Sequence, residues 1–138
     1  KKILTNNRKI LFTLQIVPDF KDEDNDYYIE IVNNLIEKNA DFLLKNNYEI
    51  IFKHHPRYNT KNFKDFRFEY DFISFDDKSS ILDLMNTVSV HMTFHSTSAI
   101  EAALMKTPTI FIDMHKNFTP NEIFLNQYRR WDENNEDV

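Results

Sequence analysis

The chain has 138 residues, no cysteine, a net charge of −5, and 41% hydrophobic and 14% aromatic residues. That is one domain's length with ample apolar material for a core. It excludes disulfides and thiolate chemistry, lacks the basic tract that would attract nucleic acid or an anionic membrane surface, and holds no apolar run near the roughly 18 residues that span a bilayer.

Lys9–Val17 (KILFTLQIV) is continuously apolar, which predicts a strand buried on both faces, ended by Pro18 and an acidic loop, DFKDEDND. Tyr28, Ile29, Val32, Leu35, Ile36, Phe42 and Leu43 recur mostly at helical spacing up to a stop at Asn46-Asn47. Tyr48–His55 (YEIIFKHH) reads as a second strand, broken by Pro56. After a polar segment, Tyr70–Phe75 reads as a short strand and Ser79–Val88 as an amphipathic helix opened by Ser80-x-x-Asp83. Ser89–Phe94, Ser98–Met105 and Thr109–Met114 then predict strand, helix and strand, and Thr119-Pro120-x-Glu122 opens a final helix through Trp131.

Strands alternating with helices predict an α/β, doubly wound parallel sheet forming a single domain over residues 1–138. Ligands of such sheets bind beyond the carboxyl ends of the strands. The strand-to-helix corners there are Val17–Asp26, His54–Tyr58, Phe75–Ser80, Phe94–Ser98 and Asp113–Thr119. Glycine is absent where average usage would give roughly ten, while asparagine occurs 16 times. Asparagine pairs therefore take over turns and caps, and any phosphate cradle must use Ser, Thr and backbone amides.

Two corners carry chemistry. Lys53-His54-His55-Pro56-Arg57 sets two histidines and two cations at one strand end, able to engage a phosphate or hand a proton to a leaving phosphate oxygen. Alternatively, Pro56 merely ends the strand and the two histidines point to opposite faces. His95-Ser96-Thr97-Ser98 ends a strand and starts a helix, where amides, dipole and hydroxyls can hold an anion. Alternatively, Ser98-x-x-Glu101 is a capping box that occupies Glu101 with the backbone. His91-x-x-x-His95 has a metal-ligand count, but along a strand the pair lies far apart with no cysteine or acidic cluster to complete a shell. No metal site is expected. The acidic run reads as solvated charge.

These motifs in this order, over Tyr48 to Asp113, resemble the C-terminal donor-binding domain of GT-B-fold bacterial glycosyltransferases. The sialyltransferase and polysialyltransferase type of capsule and lipooligosaccharide synthesis, with its His-Pro and Ser-Ser/Ser-Thr motifs, is nearest in character. The resemblance implies a Rossmann-like domain, one half of a GT-B fold. It implies that His55, with Pro56, approaches the donor's phosphate or nucleotide as the catalytic histidine. Ser96, Thr97 and Ser98 bind donor phosphate, and Glu101 stands near a ribose-binding acid; Lys53, His54, Pro56, Arg57 and His95, at the same two corners, are expected to bind substrate with them. Lys106 replaces the glycine expected before Thr107-Pro108.

The function so implied is donor binding for surface polysaccharide synthesis, with CMP-sialic acid first and a UDP-sugar or CDP-polyol next. No cofactor is expected beyond the nucleotide-sugar substrate. The glycan acceptor and catalytic base would belong to an N-terminal domain, since this chain, opening on Lys1-Lys2, reads as a fragment. A cytoplasmic location is expected, with the full-length protein at the inner face of the membrane. Two alternatives stand beside this reading. One is half of a UDP-N-acetylglucosamine 2-epimerase-like or CDP-polyol phosphotransferase-like enzyme. The other is a non-catalytic, partner-binding α/β module such as a receiver, for which Asp19 and Asp113-x-x-Lys116 are a poor match.

Overall fold

The structure, a computed structural model, describes residues 7–16, 21–58, 66–94 and 96–112. The chain forms β1 (Lys9–Thr13), α1 (Asp22–Lys45), β2 (Glu49–Lys53), β3 (Ile73–Phe75), α2 (Ile81–Thr87), β4 (Val90–Thr93), α3 (Ser98–Leu104) and β5 (Thr109–Phe111). The strands make one sheet of order β3-β2-β1-β4-β5, with every pairing parallel. This is the Rossmann-like, doubly wound arrangement. The winding reverses between β1 and β4, so the crevice outside their carboxyl ends is where such a fold takes ligands.

Burial on both faces follows from the side-chain alternation of the strands. Ile10, Phe12, Ile50 and Phe52 pack on one face against Tyr28, Ile29, Val32 and Ile36 of α1. Leu11 packs on the other against Leu84 and Met85 of α2, Val88 just after it, and Ala102 of α3. Phe12 and Phe52, both fully buried, meet at 5.2 Å between ring centroids. A side peg closes the α1 face: Arg67 bonds Glu30 and Glu37, and its N–H donates to Asn33 Oδ1 at 2.7 Å.

Four sequence expectations change. The acidic run from Asp22 to Asp26 is not a loop but the start of α1, where negative side chains oppose the positive end of the helix dipole. Phe42 lies off the buried stripe, exposed against Tyr48 at 6.0 Å. The β1 ladder stops at Thr13, although Leu14 and Ile16 stay buried and the Leu14 N–H donates to Lys53 O at 2.8 Å. The strand expected over Tyr70–Phe75 narrows to Ile73–Phe75, with Tyr70–Phe72 in a turn closed by Ile73 N–H on Tyr70 O. The expected Thr119 helix lies outside the described residues.

Asn47 and Lys106 both take left-handed φ, 57° and 56°. Lys106 stands where the resemblance called for glycine and adopts the glycine conformation despite its Cβ. That turn is held by Lys106 N–H on Ala103 O and Thr107 N–H on Ala102 O. Lys106→Gly is expected to raise stability by up to about 1 kcal/mol. Relief of left-handed strain is offset in part by the larger freedom of glycine in the unfolded chain. Denaturant melts of the two proteins check it.

Candidate functional site

A cleft of about 220 Å³ opens at the carboxyl ends of β1, β2 and β4, beside the winding reversal. Lys53, His54, His55 and Pro56 line one side, and Ser96, Thr97, Ser98 and Glu101 the other. The two corners singled out in the sequence thus share one cavity. Arg57, exposed on the turn, is not part of the lining, and His95 lies outside the described residues.

The His-Pro corner is a tight turn: Tyr58 N–H donates to His55 O at 2.8 Å, with Pro56 at the second position where its fixed φ suits. His54 is fastened. Its backbone N–H and Nδ1 both bond the Asp77 carboxylate, at 2.7 and 2.9 Å, and its ring stacks on Tyr58 and Phe75 at 4.1 and 5.2 Å. Partial burial raises the Asp77 pKa, but the bonds from His54 outweigh it and bring it below the usual carboxylate range. His55 differs, because its Nδ1 accepts the Arg57 N–H at 3.1 Å. In the neutral ring the proton therefore sits on Nε2. Lys53 also serves the frame, its ammonium donating to Ser79 O at 2.7 Å and anchoring the loop after β3. Asp76 in that loop accepts from the Ser79 N–H and hydroxyl, which lower its pKa.

The hydroxyl corner is built differently from the capping box. The Ser98 hydroxyl does not cap; it is buried, bonding Ser96 Oγ at 2.7 Å and lying 3.1 Å from Thr13 Oγ1 and 3.2 Å from His91 Nε2. The first-turn amide of Ser98 is instead accepted by Ser96 Oγ at 3.1 Å, and the Ser96 N–H by Thr93 Oγ1 at 3.3 Å. Two of the corner's amides are therefore taken, and α3 is only seven residues long, so the expectation of a row of amides on a strong dipole is reduced. Thr97, exposed at the rim, keeps an amide and hydroxyl with no acceptor among the described residues. Glu101 is not folded back on a cap: its Oε2 is buried without a hydrogen-bond partner among the described residues.

Sequence reasoning missed the floor. Thr13, Leu14 and Gln15 line the cleft from the end of β1, and the buried Tyr28 hydroxyl fixes Gln15 by accepting its N–H at 3.0 Å. Beneath Ser98 lies His91, fully buried, its pKa pushed down to about 4 by desolvation. Its ring meets Thr13 Oγ1 at 2.8 Å through Nε2 and Thr109 Oγ1 at 3.0 Å through Nδ1. Thr13 and Gln15 inside an otherwise apolar strand were the available signal, since buried polar groups demand partners. No cluster of three or more His, Asp or Glu that could hold a metal occurs among the described residues. Nor is any helix among them long and apolar enough to cross a membrane.

No protein-family model matches the sequence, and no curated protein matches it. Among solved structures the chain is similar to the beta Kdo 2,4 transferase KpsC of Thermosulfurimonas dismutans, with 17% identity and a TM-score of 0.53 over 81% of this chain and 36% of that one. It is also similar to the glycosyltransferase SnogD from Streptomyces nogalater, with 14% identity and a TM-score of 0.50 over 89% of this chain and 29% of that one. The chain spans well under half of either neighbour's length. The likeness is one of fold, and that fold is the Rossmann-like α/β architecture found in glycosyltransferases.

Proposed function

We propose that this chain is the donor-binding half of a GT-B glycosyltransferase, holding a nucleotide-activated sugar in the cleft between the His-Pro and Ser-Thr-Ser corners. The observation that carries this reading is their convergence on one cavity at the winding reversal of the sheet. A buried structural network explains the Ser96 and Ser98 hydroxyls alone, but not a histidine-proline turn facing them. The donor phosphate lies between His55 and Thr97. As the bond from the anomeric carbon to the phosphate oxygen breaks, that oxygen takes the electron pair, and His55 Nε2–H donates to it. Glu101, whose buried Oε2 has no partner among the described residues, accepts a hydrogen bond from a ribose hydroxyl.

The preferred donor is CMP-sialic acid, then a UDP-sugar or a CDP-polyol, for a surface polysaccharide made at the cytoplasmic face of the membrane. The acceptor and the base belong to a second domain. The resident chemistry uses hydroxyls and histidine. Titrating the chain with CMP-sialic acid, UDP-N-acetylglucosamine and CDP-glycerol, with a transfer assay alongside, tests this. The expected result is weak binding of at least one donor and no transfer. Measurable transfer by these 138 residues alone would contradict the two-domain reading.

A further inference from the structure

Four hydroxyls and one imidazole run from the far edge of the sheet to the cleft, and their protons can be counted. Ser98 Oγ donates to Ser96 Oγ at 2.7 Å, which spends its only proton, so its contacts with Thr13 and His91 must be ones in which it accepts. Thr13, 3.1 Å away, supplies that proton, and so spends its own. His91 Nε2, 2.8 Å from Thr13 Oγ1, must then carry hydrogen and donate. A neutral ring protonated on Nε2 accepts on Nδ1, and Thr109 Oγ1 at 3.0 Å is the donor it meets. Burial keeps the ring neutral, so the second nitrogen stays an acceptor.

The chain therefore runs one way, from Thr109 through His91, Thr13 and Ser98 to Ser96. Ser96 Oγ receives two hydrogens, from the Ser98 hydroxyl and the Ser98 N–H at 3.1 Å. Its own proton has no acceptor among the described residues, and Ser96 lines the cleft. With the opposite tautomer, the Thr13 proton would go to Nε2 and the Thr13–Ser98 contact would be left without a hydrogen.

We propose that His91 is a positioning residue whose tautomer orients this chain, leaving the Ser96 hydroxyl as a fixed donor that selects acceptor groups such as phosphate oxygens on that wall of the cleft. The proposal rests on the reading of the cleft as a donor-phosphate site. Linked bonds of one polarity reinforce one another, and a preset donor need not reorient to meet the ligand. His91, far beneath the surface, acts only through Thr13 and Ser98.

Two readouts test it separately. Nitrogen-15 shifts of the His91 ring in the ligand-free chain are expected to show protonation on Nε2 at neutral pH, whatever the cleft binds. Protonation on Nδ1 overturns the one-way chain. CMP and cytidine are then titrated against wild type, Thr13→Val and Thr13→Ser. Valine keeps the shape of threonine and removes the link, so CMP affinity is expected to fall about five- to tenfold while cytidine affinity stays, and serine should restore it. Thr109→Val, at the edge strand, is the second variant should Thr13→Val not fold; it is expected to release the tautomer and weaken CMP similarly. Unchanged CMP affinity in whichever valine variant folds overturns the proposal. If wild type binds CMP no better than cytidine, the phosphate reading falls and the proposal with it, while the ring shifts still report whether the chain is polarised.

Discussion

Lowering the pH from about 6.5 to about 4 is expected to remove about 3 kcal/mol of stability through His91 alone. The ring is fully buried among Thr13, Ser98 and Thr109 hydroxyls, and desolvation holds its folded pKa near 4. In the unfolded chain a histidine titrates near 6.5. Between these values the unfolded state binds a proton that the folded state refuses, so stability rises with pH across this window. Above it both states are neutral, and below it both are charged, so the effect is flat on either side. Asp76 and Asp77 act lower down. Their folded pKa values are depressed, so they stabilise above the ordinary carboxylate range, and that contribution disappears as pH falls through the depressed values. Denaturant midpoints between pH 4 and 7, for wild type and His91→Asn, measure the slope. A wild-type slope no steeper than that of the variant would show that His91 is not held neutral.

In the two-domain glycosyltransferase of the proposed function, His55→Ala is expected to lower turnover about a hundredfold or more, the usual worth of a positioned proton donor. His54→Ala should change turnover little and lower the melting temperature instead. The structural difference is plain: His54 gives its Nδ1 to Asp77 and its ring faces to Tyr58 and Phe75. His55 spends Nδ1 on the Arg57 amide, which keeps its proton on Nε2. His54 thus ties the end of β2 to the loop after β3, while the proposed function gives the chemistry to His55. Turnover of both variants with saturating donor, each with a thermal melt, decides it. Equal losses of turnover, or the reverse order, would assign the chemistry to the wrong histidine.

Continuous apolar runs and helical spacing made β1, α1, β2 and β4 legible, because hydrophobic burial writes directly into residue order. The acidic start of α1 was not, since Asp22, Glu23 and Asp24 look like solvated loop until the dipole they oppose is present. Lys106 shows the limit of motif matching, because its left-handed turn is set by the backbone bonds around it and glycine is only the easiest residue to place there. At the site, Ser98-x-x-Glu101 has the spacing of a capping box, but Ser98 already lies inside α3 and its hydroxyl bonds Ser96, with Thr13 and His91 close behind. The Thr13 and His91 contacts cross from strand to helix and leave no local signal. The pairing of the two corners was legible through the rule for parallel sheets; the polar floor beneath them was not.

The most direct test of the cleft is a titration of CMP, UMP and the matching nucleosides against wild type and Thr97→Ala, each with a thermal melt. Thr97 is the clean probe because it is exposed and caps nothing through its side chain, whereas Ser96 accepts a helix amide and Ser98 is tied to His91. If the corner holds donor phosphate, wild type should prefer nucleotide over nucleoside, and Thr97→Ala should cost about tenfold in nucleotide affinity at an unchanged melting temperature. Equal binding of nucleotide and nucleoside by wild type, or a Thr97→Ala variant that binds CMP and UMP like wild type, would contradict the phosphate cleft.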